Sequence, residues 1–308
     1  MLAGAAPPDP SVELLGASLS LPVLLAPTAV HRLCHPEGEV ATARAAARAG
    51  TIFCLSTLAS RTIEEVAQAS DPPGWFQLYV YRDRGLTGEL LDRCMAADYR
   101  AVLVTVDTPV LGRRERDEQH AFALPDGVAY ANFSGPAATT GSAEPGVSGL
   151  ARYVASLLDP SLSWKDLEWL IQRSRLPVLV KGVVRADDAR RSVASGAAGV
   201  VVSNHGGRQL DHAVGALDAL PDIAGAVGDS HLVLMDGGVR RGTDVLKAIM
   251  LGARAVLIGR PYLYALAVGG EDAVVALLEQ LRLEIATSMT LVGARDLAAL
   301  TPDLLQPV

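Results

Sequence analysis

Eight short apolar runs recur along this chain, and amphipathic stretches rich in alanine and leucine lie between them. The runs cover residues 23–26, 52–55, 76–80, 101–106, 178–180, 199–202, 232–235 and 255–258. Near-continuous hydrophobicity over so few residues marks a strand buried on both faces, as in a parallel sheet coated by helices. The stretches at 39–49, 62–69, 86–97, 164–174, 186–195, 216–227 and 243–251, and a last one at 272–289, have helical spacing. Eight is the strand count that closes a barrel. An open doubly wound sheet is the alternative, but no Gly-x-Gly-x-x-Gly turn follows an early strand. The expected fold is an α/β (β/α)8 TIM barrel, one domain spanning residues 1–308.

Two departures from regular spacing matter. Residues 12–15 and 18–21 flank Gly16 and predict a small N-terminal β-hairpin at the closed end of the barrel, preceded by a flexible tail at 1–10. Between the fourth and fifth strands, roughly residues 112–162 form a long insertion, rich in Gly, Pro, Ser and Thr around 134–149. Insertions of that length in a compact domain are usually active-site lids or disordered segments, and a mobile lid loop is expected here.

Composition narrows the function classes. A formal net charge of −7 with no basic stripe argues against nucleic acid as partner. The mixed-sign piece Arg113-Arg114-Glu115-Arg116-Asp117-Glu118 reads as a solvated loop. The three cysteines, Cys34, Cys54 and Cys94, have unrelated spacings that suit a reducing compartment. His31, Cys34 and His35 lack a fourth ligand, so no metal site is expected. No run is taken to span a membrane, and residues 1–10 do not read as a signal peptide. A cytoplasmic protein is the expectation.

Chemistry collects where the strands end. The ends carry Pro27-Thr28-Ala29, Ser56, Gln77 with Tyr79, Thr105 with Asp107, Lys181, Ser203 with His205, Asp236-Gly237-Gly238, and Gly259-Arg260. Barrel enzymes build their sites at that face. The turn Ser203-Asn204-His205-Gly206-Gly207-Arg208-Gln209-Leu210-Asp211 delivers a base, His205, and a fixed cation, Arg208, three residues apart. Asp236-Gly237-Gly238-Val239-Arg240 and Gly259-Arg260 follow strands seven and eight, the usual barrel position for a phosphate. Two glycine turns side by side, each with an arginine, favour a phosphorylated ligand over simple chain reversal. Lys181 is then read as a buried cation beside that ligand, rather than as the ion-pair partner of a neighbouring strand's carboxylate.

These residues carry a resemblance. Ala26-Pro27-Thr28-Ala29, His35-Pro36-Glu37-Gly38-Glu39, Phe76-Gln77-Leu78-Tyr79, Thr105-Val106-Asp107-Thr108-Pro109, Leu111-Gly112-Arg113-Arg114, Leu179-Val180-Lys181-Gly182, the 203–211 turn, the 236–240 turn and Gly259-Arg260-Pro261 together resemble the FMN-dependent 2-hydroxy-acid oxidases and dehydrogenases. That is the group of glycolate oxidase, lactate oxidase and mandelate dehydrogenase, and the likeness runs from about residue 21 to 297. It implies FMN at the barrel mouth, with Gly238, Arg240, Gly259 and Arg260 at its phosphate and Asp236 and Gly237 also among the cofactor-binding residues. Pro27, Thr28, Ala29, Ser56, Gln77, Thr105, Lys181 and Ser203 would hold the ring. It implies His205 as base, Asp107 as its partner, Tyr79 at the substrate hydroxyl, and Arg208 with Arg114 on the substrate carboxylate.

The activity implied is oxidation of an (S)-2-hydroxy acid to the 2-oxo acid with O2 as acceptor, giving H2O2, in a homo-oligomer, commonly a tetramer. The alternatives are a dehydrogenase using a quinone or protein acceptor, or a flavin-binding remnant with little turnover. The chain departs from the family pattern in two places. The usual N-terminal helical segment, with a tyrosine for the carboxylate, has no counterpart before the hairpin. Leu58 stands where glycolate-specific relatives tend to carry Trp, which with Leu111 leaves an apolar wall suited to longer substrates. Membrane-bound relatives anchor through a hydrophobic lid, whereas residues 137–149 here are small and polar.

Overall fold

Alternate residues of the eight strands face two different cores. The structure, a computed structural model, describes residues 7–134, 149–228 and 230–305. A hairpin of β1 (Val12–Leu14) and β2 (Ala17–Leu19) comes first. Then follow β3 (Val23–Leu25), β4 (Cys54–Ser56), β5 (Trp75–Leu78), β6 (Val102–Thr105), β7 (Val178–Val183), β8 (Gly199–Val202), β9 (Leu232–Asp236) and β10 (Ala255–Ile258). These eight are parallel and adjacent in chain order, with β10 returning beside β3. A bridge between Leu25 and Phe53, with Leu25 N–H on the Ile52 carbonyl at 2.9 Å, closes β3 onto β4. The architecture is the (β/α)8 barrel that the spacing predicts.

Period-two alternation sorts the strand residues. Leu55, Phe76, Leu78, Val102, Val104, Val178, Val180, Val200, Val202, Val233, Met235, Val256 and Ile258 belong to the outer core, between strands and helices. Leu24, Cys54, Trp75, Leu103, Leu179, Val201, Leu234 and Leu257 fill the barrel interior. Val12, Leu14 and Leu19 of the hairpin join that inner cluster and plug the closed end. The inner core is therefore complete without any residue from the mouth.

The helices are α1 (Glu39–Arg48), α2 (Ile63–Ala67), α3 (Arg84–Ala96), α4 (Glu115–Gln119), α5 (Gly149–Leu157), α6 (Trp164–Arg173), α7 (Ala186–Ala194), α8 (Ala216–Val227), α9 (Gly242–Met250) and α10 (Arg260–Val292). Three differ from expectation. The mixed-sign piece is not simply a loop, because residues 115–119 form α4, and Arg113 Nε donates to Glu118 at 3.1 Å. The insertion also ends in helix, at α5, while residues 135–148 within it lie outside the described residues. The last helical region begins at Arg260 rather than 272, with Pro261 in its first turn, and breaks at Gly269 and Gly270. By length and composition it could cross a bilayer, but its stripe of Leu266, Val274, Leu278, Leu281, Ile285 and Met289 is buried in the outer core. Of the tail expected at 1–10, residues 1–6 lie outside the described residues, and Asp9 N–H is bound to the Arg295 carbonyl at 2.8 Å.

Candidate active site at the mouth of the barrel

One pleat above the apolar interior, the inward positions turn polar. Ser56, Gln77, Thr105, Lys181, Ser203 and Asp236 each stand two residues after Cys54, Trp75, Leu103, Leu179, Val201 and Leu234, and all six are buried. Ser56 is in register with Gln77, and Thr105 with Lys181, so these groups form one layer across the mouth. Buried polar groups at that level need partners. Ser56 Oγ donates to Gln77 Oε1 at 3.2 Å, and Gln77 Nε2 donates to Thr105 Oγ1 at 3.0 Å. Thr57 Oγ1 donates to the Gln77 carbonyl at 2.6 Å and accepts from Tyr79 N–H at 3.1 Å.

Lys181 differs from its sequence-based reading in two ways. It lies inside β7 rather than at its end, because the strand runs on through an irregularity to Val183. Its Nζ is also 2.7 Å from Asp236 Oδ2, two strands away, and donates to Ser203 Oγ at 3.1 Å. Burial pulls the Lys181 ammonium down, but the charges of Asp236 and then Asp107, with the Asp236 hydrogen bond, together offset that and hold its pKa above the ordinary value. The ion-pair reading, disfavoured from sequence, is the observed arrangement. Asp236 accordingly faces the ring layer and not the phosphate turn, since Leu234 and Asp236 share the inward face of β9.

Gly182 explains how Asp107 reaches this layer. Its φ is +106°, and a Cβ there would sit 2.6 Å from Asp107 Cβ, so only glycine lets the β6 loop approach β7 this closely. Asp107 Oδ1 is 2.9 Å from His205 Nδ1, and Thr108 Oγ1 donates to the same oxygen at 3.1 Å. His205 adopts a positive φ of +58°, unusual for a residue with a side chain, and its N–H donates to Ser203 Oγ at 3.0 Å. Burial pushes the Asp107 carboxyl up, yet the His205 bond and the Lys181 charge bring it below the ordinary carboxylate value. The ionised carboxylate can only accept, so His205 carries a proton on Nδ1, and in the neutral imidazole the lone pair is then on Nε2.

Three further side chains face this pair. Burial and then the Asp107 charge raise the Tyr79 phenol, which stays protonated as a donor. Arg114 is pulled down to about 10, first by burial and then by repulsion from the exposed Arg208, whose charge lies near enough to act on it. Arg114 Nε is buried with no protein partner among the described residues. Like charges held together while one is desolvated describe a site for an anion. Leu58 is buried and Leu111 half-buried in the outer core cluster.

At the opposite side, Gly237 and Gly238 have φ of +93° and +80°, and a Cβ on Gly238 would meet nothing within 4 Å. The turn opens onto the N-terminus of α9, where the N–H groups of Arg240 and Arg241 donate to Asp244 Oδ2 at 3.0 and 2.9 Å. Arg240 and Arg260 are exposed there, and Arg260 Nη2 donates to the Gly206 carbonyl at 3.3 Å. Thr28, in contrast, turns its hydroxyl away from the mouth. It binds His31 Nε2 at 2.7 Å and the Tyr262 hydroxyl, while Tyr262 donates to the Ala26 carbonyl at 2.7 Å. His31, Glu39 and Tyr262 are fully buried behind the Pro27-Thr28-Ala29 segment, a network that sequence reasoning missed because Tyr262 lies 231 residues from His31.

Comparison with known proteins decides the family. The sequence profile described as FMN-dependent dehydrogenase matches residues 1–307. The chain belongs to that family. It is 51% identical over 291 residues to an L-lactate oxidase of Nostoc sp., covering 93% of this chain and 80% of the relative. It is 49% identical over 290 residues to glycolate oxidase 3 of Arabidopsis thaliana, covering 94% and 78%. Among solved structures, mandelate oxidase with (S)-4-hydroxymandelic acid superposes with a TM-score of 0.94 at 44% identity, covering 98% of this chain and 84% of that one. Family membership makes this chain an FMN-dependent oxidoreductase of the 2-hydroxy-acid oxidase group.

The residues present fit FMN. A glycine turn with open backbone meets two exposed arginines at a helix N-terminus, as a phosphate requires. The polar layer of Ser56, Gln77, Thr105 and Lys181 offers donors and acceptors to a flat heteroaromatic ring. Two buried carboxylate oxygens in the same region, Asp107 Oδ2 and Asp236 Oδ1, lack protein partners among the described residues.

Proposed function

We propose that this enzyme oxidises an (S)-2-hydroxy acid larger than glycolate to the 2-oxo acid and passes the two electrons to O2, giving H2O2. The observation carrying the reading is the 2.9 Å His205–Asp107 pair, with Arg114 and Arg208 near enough to repel each other. When bound, FMN supplies a two-electron acceptor. Arg240, Arg260 and the Gly237-Gly238 turn would hold its phosphate, and Ser56, Gln77, Thr105 and Lys181 its ring.

The protein's part follows from its charges. Arg208 and Arg114 bind the substrate carboxylate, a planar anion that suits guanidinium forks. Tyr79 donates to the substrate hydroxyl. His205 Nε2 takes up a substrate proton, and the imidazolium formed is stabilised by ionised Asp107. By the resemblance Leu58 and Leu111 would stand at the wall facing the substrate side chain, where apolar surface would favour bulk beyond glycolate. The oxidase names of the relatives support O2 over another acceptor, and the homotetramer we propose rests on resemblance alone.

Anaerobic mixing of the yellow holoenzyme with a panel of (S)-2-hydroxy acids should bleach the flavin, most rapidly with lactate or larger acids. Admitting air should restore the colour with one peroxide per oxo acid. A clear preference for glycolate would refute the size assignment. Slow reoxidation without peroxide would point to a dehydrogenase, and absence of bleaching to a flavin-binding remnant.

A further inference from the structure

Gln209 follows Arg208 in the β8 turn, and its carboxamide uses every hydrogen-bonding position it has. Nε2 donates to the Asp107 carbonyl at 2.7 Å and the Val110 carbonyl at 3.0 Å. Oε1 accepts from Gly112 N–H at 3.1 Å and Arg114 Nη2 at 3.0 Å. The partners fix the amide orientation, because a flip would set acceptor against acceptor on one side and donor against donor on the other. The loop from residue 107 to 114 thus folds around one side chain of the turn that carries His205 and Arg208. The two backbones also touch. A Cβ on Gly112 would lie 2.4 Å from the Gln209 carbonyl oxygen and 2.5 Å from that of Arg208.

The chemistry of the clamp matters as much as its number of bonds. Arg114 is held by two neutral acceptors, Gln209 Oε1 and the Gly112 carbonyl at 3.0 Å. A carboxylate in the place of Gln209 would still accept from the guanidinium but cancel its charge, and would turn its other oxygen on the Asp107 and Val110 carbonyls. A neutral carboxamide orients it and leaves the cation available to an anion. The other half of the same amide pins the backbone of Asp107, which in turn holds His205.

We propose that Gln209 is a positioning residue that aims Arg114 at the substrate carboxylate and keeps the Asp107 loop in step with the His205–Arg208 turn. The proposal rests on the function argued above, so its test avoids turnover. Oxalate, a dianion with a carboxylate where the substrate has one, is titrated into holoenzyme and its binding read from the visible flavin spectrum. Gln209→Leu should keep its FMN, yet weaken oxalate about tenfold or more, the scale of one hydrogen bond to a charged group. KM for a hydroxy acid should rise in parallel, with a smaller change in kcat. Gln209→Glu, the isostere, should bind oxalate more weakly than the leucine variant, because its carboxylate competes for Arg114. In an Arg114→Met background, Gln209→Leu should change oxalate affinity no further.

A folded, FMN-loaded Gln209→Leu enzyme that binds oxalate within about twofold of wild type would overturn the proposal, as would additive losses in the Arg114→Met background. If the leucine variant does not fold, the glutamate variant decides, since undiminished oxalate affinity there overturns it equally. A wild-type enzyme that binds oxalate but is bleached by no hydroxy acid refutes the proposed activity and leaves the clamp separately tested.

Discussion

His205 Nδ1 lies 2.9 Å from Asp107 Oδ1, and the two residues come from loops 98 positions apart in the chain. The contact fixes the tautomer of the imidazole and therefore which nitrogen can act as a base. Asp107→Asn keeps the shape but offers an amide that can donate to Nδ1, moving the imidazole proton to Nε2. Rapid mixing should show flavin reduction slowed by about 10²–10⁴-fold, the usual weight of a positioned acid–base group. His205→Asn should still bind FMN and substrate while the flavin stays oxidised, and prompt bleaching of that variant would remove His205 from the proposed role.

Burial, joined by repulsion from Arg208, brings Arg114 down to about 10. The carboxylate site we propose there needs both charged. Affinity for oxalate should hold steady below that value and fall as pH rises through it, and Arg114→Met should flatten this dependence. Arg208→Met should raise KM by about ten- to a hundredfold, from a charged hydrogen bond of about 1.5–3 kcal/mol. Unchanged KM would place the carboxylate elsewhere.

Lys181 and Asp236 form a buried ion pair at 2.7 Å, and each stands on the inward face of its strand. Removing one partner strands the other charge in a dry layer. Lys181→Met should destabilise the protein by about 3–5 kcal/mol in chemical denaturation, and Lys181→Met with Asp236→Leu should recover much of that loss. A cost below about 1 kcal/mol for the single change would show that the pair contributes little.

Much of this arrangement is legible in the sequence because strands alternate faces. Ser56, Gln77, Thr105 and Ser203 break apolar runs at inward positions, so a reader who lists strand ends finds them. The same habit misplaces Asp236 and Lys181. Asp236-Gly237-Gly238 looks like a turn, yet the period of two puts the aspartate inward, and Gly182 carries β7 beyond Lys181 through an irregularity no propensity signals. Gln209 and the His31–Thr28–Tyr262 network depend on contacts between loops far apart in sequence. For Gln209 the only local hint is its place inside a turn already rich in functional side chains.

His31 offers a stability test that reaches the same site from behind. It is fully buried, with Nε2 on Thr28 Oγ1 at 2.7 Å and Nδ1 on Thr42 Oγ1 at 3.0 Å. Burial holds its pKa below the ordinary 6.5, so at a given acidic pH the unfolded chain binds more protons than the folded one. Its contribution to stability is therefore present above about pH 6.5 and is lost as pH falls below that value. Asp107 also titrates below its ordinary value of 3.8, but that places its loss in a lower window. Denaturation midpoints measured from pH 7.5 down to about 5 should decline in the wild type and decline less in His31→Gln, with the other histidines common to both proteins. Because Thr28 joins this network to the Pro27-Thr28-Ala29 segment, FMN release should follow only at lower pH, where the folded protein itself takes up the proton on His31. Equal pH slopes for the two proteins would show that His31 is protonated without cost and that the network does not brace the mouth.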